Sequence, residues 1–488
     1  MKKIKYSIKS AIFFVLSIII TSCSDDFVDV ASENQNSEDF FNNEEDYQNA
    51  LIGAYDLLQS TYLNVMLGEI ASDNTVAGGE SSSDVPGIQE VDKMTHTPVN
   101  AQLRDIWNWM YAGVNRANFI MEFQDKIDFP GKEAIIGQAR FLRAYYYFEL
   151  VKWFGDVPLA IDKRILFGEE SDIDRSPKED VYALMEQDLQ FAADNLPATQ
   201  AEVGRITKGA ALALLGKVYL FQNKFSEAAT VLDQVITGPY DLVTDYNSIF
   251  EHEGENNIES VFEIQYTDKE GAGFECLQCS EGNVAIGFNG VRNYSGPLFE
   301  SGFSFNVPTQ EVVDAFETGD IRKDVAILDI NAWATDTGAT FSIGFEHTGY
   351  FNRKYIARKG DLNTGDANLT NPNNYRAIRF ADVLLMAAEA HNRKTPSDNG
   401  QAQIYLNRVR TRASLADVTT TGNTLTDAIY QERRVELVGE GHHFFDLVRT
   451  GRAAQEIPGF IEGKHEVFPI PAIEIQLTGN RWSQNPGY

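Results

Sequence analysis

The stretch from Arg205 to Pro239, RITKGAALALLGKVYLFQNKFSEAATVLDQVITGP, constrains the fold of this chain more than any other. Its apolar residues recur at helical spacing in two runs: Ala211, Leu214, Leu215 and Val218, then Ala228, Val231, Leu232 and Val235. Two antiparallel helices joined by a short turn satisfy that pattern, with Ser226 placed to cap the second and Gly238-Pro239 to end it. Each helix then carries one apolar stripe that a lone hairpin cannot cover. Other helical pairs must stack on it.

Gly216, Tyr219 and Ala228 follow the small, aromatic, small pattern of a tetratricopeptide-type repeat, in which small residues let two helices approach closely. Further helices are legible along the chain. Asn43 precedes Glu44, Glu45 and Asp46, a cap and acidic first turn for a helix whose stripe runs from Tyr47 to Leu58. Helical periodicity covers Leu103 to Phe123, where Trp107 and Tyr111 share a face and read as core, and again Glu133 to Phe154. Ser176-Pro177-Lys178-Glu179 reads as a capping box opening a helix to about Asn195. Arg376 to Asn392 and Ala402 to Ala413 form a later pair, and Leu425 to Arg449 adds more helix.

Two regions break the pattern. Gly68 to Asn100 is rich in Gly, Ser, Asp and Pro and reads as a long exposed loop. Between Asp241 and Arg376 short aromatic and β-branched runs such as VFEIQY alternate with glycines, which reads as loops and small strands inserted into the helical body. The fold expected is mainly α, with stacked helical pairs and a loop-rich insertion at about 241–375, all within one domain spanning 43–488.

Residues 1–22 read as a secretion signal, with Lys2, Lys3, Lys5 and Lys9 before an apolar core from Ala11 to Ile20 that is short for a membrane span. Ile20-Thr21-Ser22-Cys23 resembles a bacterial lipobox, which makes Cys23 the lipidated residue and 23–42 an anchor and tether. Ser24, Asp25 and Asp26 resemble the acidic tag that sends Bacteroidetes lipoproteins to the outer face of the outer membrane. Removing four lysines takes the formal charge from -30 to -34. With no basic run in the body of the chain, this excludes nucleic acid as a partner.

The order of several blocks, with the lipobox before them, resembles the SusD/RagB outer-membrane lipoproteins. They are the helix holding Trp107, Tyr111 and Asn118, then ARFLRAYYYFELVKWFGDVPL (Ala139 to Leu159), ADVLLMAAEA, QERRVELVGEGHHFFDLVRTG and the ending QNPGY. One departure is His443, where the family commonly has an arginine, with consequences for a local ion pair. The resemblance implies a tetratricopeptide-like scaffold that binds polysaccharide or oligosaccharide at the cell surface without catalysis and forms a lid on a SusC-type TonB-dependent transporter. It places the binding groups in the early loop and in roughly Asp268 to Asn374.

Sugar recognition needs aromatic faces and polar side chains. Trp333 is the sharpest candidate, a large ring in the polar stretch NAWATDTGA that no helical stripe buries; the alternative is a loop tryptophan folded onto its own core. Tyr294, Tyr350 and Phe303 are further candidates in the insertion, and Asp73, Asn74, Gln89 and His96 are polar candidates in the early loop, each with a solvated side chain as the plainer reading. Cys276 and Cys279 form a lone CxxC, which reads as a surface disulfide or two free thiols rather than a zinc site. Asp361, Asn363 and Asp366 leave calcium open as the single cofactor considered, in a loop without EF-hand spacing. Glu432, Arg433, Arg434 and Glu436 read as structural ion pairing along one helix. A secreted glycoside hydrolase and a scaffold without small ligand are the competing functions. Host, plant and marine polysaccharides each suit a neutral binding surface, and a β-glucan such as laminarin is the example taken here.

Overall fold

The structure, a computed structural model, describes residues 37–488 except 167, 170, 171, 361–365 and 367. The signal, the lipobox and Cys23, together with Asp361 and Asn363, lie outside the described residues.

The Asn43 cap forms, its side chain accepting from Asp46 N at 3.2 Å while Asp46 Oδ2 accepts from Asn43 N at 3.2 Å, and it opens α1 (Glu44–Asp56). There follow α2 (Tyr62–Ile70), β1 (Thr75–Ala77), α3 (Pro86–Asp92), α4 (Ala101–Glu122), α5 (Lys132–Phe154), α6 (Lys178–Asn195), α7 (Lys208–Phe221) and α8 (Phe225–Ile236). The 241–375 stretch contributes short elements, among them β2 (Ser260–Ile264), β3 (Asn306–Pro308), β4 (Ile327–Asp329), α9 (Ile330–Thr337) and β5 (Tyr350–Asn352). Then come β6 (Tyr375–Arg379), α10 (Phe380–Arg393), α11 (Asn399–Arg412), α12 (Gly422–Glu436) and α13 (His443–Arg449).

The helices stack pairwise as the apolar stripes require. Helix α4 packs on α5, α5 on α6, α6 on α7 and α7 on α8; α8 then meets α10, which packs on α11 and α12. All eight stripe residues of the 205–239 hairpin are buried. Gly216 is the point of closest approach, since a Cβ there would sit 2.5 Å from Leu232 Cδ2. Thr207 caps α7 through Ala210 N.

Several boundaries differ from the sequence reading. Helix α8 starts at Phe225 with Lys224 at its cap, so Ser226 lies inside the helix, where its carbonyl accepts from the Thr230 hydroxyl at 2.8 Å. No capping box forms at Ser176, because that residue pairs with Val157 in a two-residue strand; Asp156 takes the Lys178 amide instead, at 2.9 Å. Arg376 lies in β6 rather than in a helix. Strand β6 pairs antiparallel with β2, placing Tyr375 opposite Ile264 and Arg379 opposite Ser260, so the two ends of the 241–375 stretch run side by side on the helical body.

The 68–100 stretch is not an exposed loop. Ile70, Ile88, Val91 and Met94 anchor it in the core, α2 and α3 supply its helices, and β1 pairs antiparallel with β3, Val76 opposite Val307. Strand pairs among the described residues are two-stranded throughout.

A buried ion network fastens the 241–375 stretch to α11 and α12. Arg322 Nη1 lies 2.6 Å from Glu432 and 2.9 Å from Glu436, Arg379 reaches Glu259, Glu436 and Glu440, and Lys354 reaches Glu440 at 2.7 Å. The ion pairing expected along α12 therefore exists, but with partners on other elements. Such charges are tolerated in a core only when each is matched. Burial opposes ionisation of Glu436, yet Arg412, Arg379 and Arg322 hold its carboxyl far below the ordinary range.

Candidate functional site

The early segment and the insertion meet along one seam. Gly78 N donates to Phe305 O at 2.9 Å and Gly79 N to Ser304 O at 2.8 Å, while Phe345 N donates to Gly79 O at 2.9 Å. A Cβ on Gly78 would fall 2.1 Å from Ser304 O, so a residue with a side chain would part the two segments. Across the seam Asp84 lies 3.6 Å from Arg292, whose guanidinium donates to Phe303 O at 2.8 Å, and Lys93 stands 5.3 Å from the centre of the Phe345 ring. Asn293 donates to the Ser342 hydroxyl at 3.1 Å, and beside it Ile343 is 76% exposed. The surface thus combines apolar and aromatic groups with serine, amide, carboxylate and guanidinium groups.

Trp333 occupies a helix rather than a loop. Asp329 caps α9 by accepting from Asn331 N and Ala332 N, each at 3.0 Å. The indole is half-buried against a small cluster that includes Tyr294, Phe299 and Ile356, with its ring 5.3 Å from Phe299. Its N–H donates to the Tyr294 hydroxyl at 2.8 Å. Tyr294 is itself buried and donates to Pro297 O at 2.6 Å, which makes it a support for Trp333 rather than a platform.

The structure brings Trp333 and Tyr294 together but separates the other aromatic candidates. Tyr350, half-buried, packs with Val313, Phe316 and Val438 and donates to Gln310 Oε1 at 3.0 Å. Phe303 lies between Phe288 and Phe274, each with ring centres 5.7 Å away, and Phe274 is 56% exposed. Phe274, Phe345, Ile343 and Arg292 were passed over in the sequence. The alternating aromatic run FSIGF at 341–345 was the signal that could have found two of them.

The four polar candidates, Asp73, Asn74, Gln89 and His96, lie inside the fold. All are buried, and each is engaged inside the fold rather than solvated. Asp73 is held by Arg434 at 2.5 Å and His443 at 3.0 Å. Burial opposes its charge, but those two partners bring its carboxyl below the ordinary value. His443, the departure from the family pattern, thus sits in a local pair with Asp73. Asn74 accepts from Arg434 Nε at 2.8 Å, Gln89 donates to Gly78 O at 2.6 Å, and His96 bonds the Tyr488 hydroxyl at 2.7 Å. Burial, with His465 and Lys464 adding to it, lowers His96 to about 3, so the ring is neutral. Asp92, at the end of α3, moves the other way: burial raises its carboxyl to about 6, and the charge of Glu346 adds to the effect.

Cys276 and Cys279 form a disulfide beside Phe274. Of the calcium candidates, Asp366 is described, and its carboxylate accepts from Asn368 N at 3.0 Å.

A family model described as "SusD family" matches residues 330–488, and one described as "Starch-binding associating with outer membrane" matches 26–220. A solved laminarin-binding SusD-like protein is 36% identical, with a TM-score of 0.84, covering 92% of this chain and 100% of that one. The chain belongs to the SusD family. Surface glycan-binding protein A from Bacteroides thetaiotaomicron, solved in complex with laminarihexaose, is 27% identical with a TM-score of 0.81, covering 91% of this chain and 99% of that one. SusD-like protein P2 of Formosa agariphila is 28% identical over the full length of both chains. In this SusD-family chain residues 221–329 fall between the two family matches, and they hold Arg292, Tyr294 and Phe303. No helix of the described residues is long and apolar enough to cross a membrane.

Proposed function

We propose that this SusD-family protein binds a neutral β-glucan of the laminarin type without cleaving it. The observation that carries the reading is the 36% likeness, over 92% of the chain, to a laminarin-binding protein. The geometry is consistent with it: a half-buried indole whose N–H is already satisfied offers ring surface to the C–H face of a sugar, and the seam supplies Arg292, Asp84, Asn293 and Ser342 for hydroxyls. Relatives named for binding rather than hydrolysis support a role without catalysis. Incubating the protein with insoluble β-1,3-glucan is the test. Retention without new reducing ends is expected; cleavage would favour the hydrolase reading, and neither outcome would favour a scaffold.

The family model described as associating with the outer membrane supports the location. Lipidation at Cys23 would hold the protein there, with its body facing the exterior, beside a SusC-type TonB-dependent transporter to which it delivers glycan. Two proteins confined to one membrane reach a high effective concentration, so a modest interface suffices. Purification in mild detergent through a tag on this chain should bring down a large barrel. Recovery of the lipoprotein alone in several detergents would count against the pairing.

A further inference from the structure

The segment from Thr267 to Glu281 forms a loop closed at its base, where Thr267 N donates to Glu281 O at 2.8 Å. It carries Phe274, an exposed ring, and directly after it Cys276 and Cys279, a motif to which the seam gives no role. A large ring on a surface loop would ordinarily lose much freedom on meeting a ligand. This one is fixed beforehand.

The Cys276–Cys279 disulfide closes the turn that follows the ring, with Cys276 N donating to Gly273 O at 3.3 Å and Cys279 N to Cys276 O at 3.1 Å. Between the cysteines Leu277 packs half-buried on the main core, and after them Ser280 Oγ donates to Leu369 O at 2.6 Å. A cross-link over so short a loop constrains the unfolded chain less than a long one would, so its chief effect is to hold this turn. The Phe274 ring leans on Phe303, centre to centre 5.7 Å, and 56% of the residue stays open to solvent. Phe303 follows Ser301–Gly302, which pair in parallel with Val291–Arg292, and Tyr294, the support of Trp333, lies two residues beyond Arg292. Phe274 and Trp333 are thus both supported from one strand pair.

We infer that Phe274 is a stacking residue for the glucan at the seam and that the Cys276–Cys279 disulfide is the device that positions it. A phenyl face held open to solvent suits the C–H face of a pyranose, and a ring already fixed loses little freedom when the sugar arrives. The disulfide touches no ligand in this scheme and acts through the ring. The choice of a glucan rests on the glycan-binding reading above, whereas the fixed and exposed ring is a feature of the fold.

The test is calorimetry of the full mature chain with laminarihexaose as probe. Phe274→Ala is expected to weaken binding several-fold and Phe274→Trp to preserve it, since the larger ring offers the same kind of face. Cys276→Ser/Cys279→Ser frees the turn and should weaken binding to a similar extent. Combining it with Phe274→Ala should add nothing further, because a clamp that acts only through the ring then has nothing left to hold. That lack of additivity separates positioning from a general loss of stability, and each variant is checked for wild-type thermal unfolding. If the cysteine variant fails to fold, the two Phe274 variants decide alone. Wild-type affinity in folded Phe274→Ala, wild-type affinity in the folded cysteine variant, or additive losses in the combined variant would each overturn the assignment. A wild type that binds no laminarihexaose would overturn the glycan-binding reading and this one with it, whereas binding that depends on Trp333 but not on Phe274 would strike this one alone.

Discussion

The indole N–H of Trp333 donates to the Tyr294 hydroxyl at 2.8 Å, and that hydroxyl donates onward to the Pro297 carbonyl at 2.6 Å. The chain of two bonds holds a half-buried ring in one orientation, so little rotamer freedom remains to be lost when a ligand arrives.

Removing that ring should weaken glycan binding. Trp333→Ala is expected to cost on the order of 1 kcal/mol, about five-fold in affinity, and Tyr294→Phe less, since it frees the ring without removing it. Calorimetry with laminarihexaose reads both. Equal affinities in folded variants would move the stacking surface elsewhere.

The Arg322 and Glu436 side chains are wholly buried 2.9 Å apart, and they join the insertion to α12. Glu436→Gln leaves Arg322, Arg379 and Arg412 short of a counter-charge and should lower stability by about 3–5 kcal/mol in denaturant unfolding. By contrast, Asp56→Asn at the half-exposed pair with Arg116 should cost under about 1 kcal/mol. Similar losses from the two variants would refute the fastening role.

Asp92 sets a pH dependence of opposite sign to the usual carboxylate. Its folded pKa, raised to about 6 by burial, exceeds the ordinary 3.8. Between those values the folded state holds the proton more tightly than the unfolded state, so stability falls as pH rises from about 4 to 6. Asp92→Asn should therefore be neutral at pH 4 and stabilising at pH 7, by on the order of 1 kcal/mol after allowance for solvent at a partly exposed group. Melting curves at the two pH values check the sign.

Two glycines in helices should respond to alanine in opposite directions. In α7 a Cβ at Gly216 meets Leu232 at 2.5 Å, and overpacking there should cost about 1–3 kcal/mol. In α1 nothing lies within 4 Å of a Cβ at Gly53, so Gly53→Ala should stabilise by up to about 1 kcal/mol. Chemical denaturation of the two variants distinguishes a helix contact from helix propensity.

Changing Cys23 to Ala should release the protein from the membrane fraction, because each buried CH₂ of an acyl chain contributes about 0.8 kcal/mol to anchoring. Unchanged partitioning would remove the lipid anchor from the proposed function.

Local pattern alone determined much of this molecule. The 205–239 hairpin, the Asn43 cap and the α4 and α5 stripes follow from residues three or four apart, and such spacings are visible in one dimension. The aromatic Trp333 stood out for the same reason, as a large ring in a polar stretch. What only the folded chain decided is which polar groups are free. Asp73 meets Arg434 and His443 from some 360 residues away, His96 meets Tyr488 at the C-terminus, and Ser176 abandons a cap to pair with Val157. Whether a side chain faces a sugar or a partner depends on contacts between segments distant in the chain, and burial of an apolar anchor such as Ile88 carries its polar neighbours inward with it.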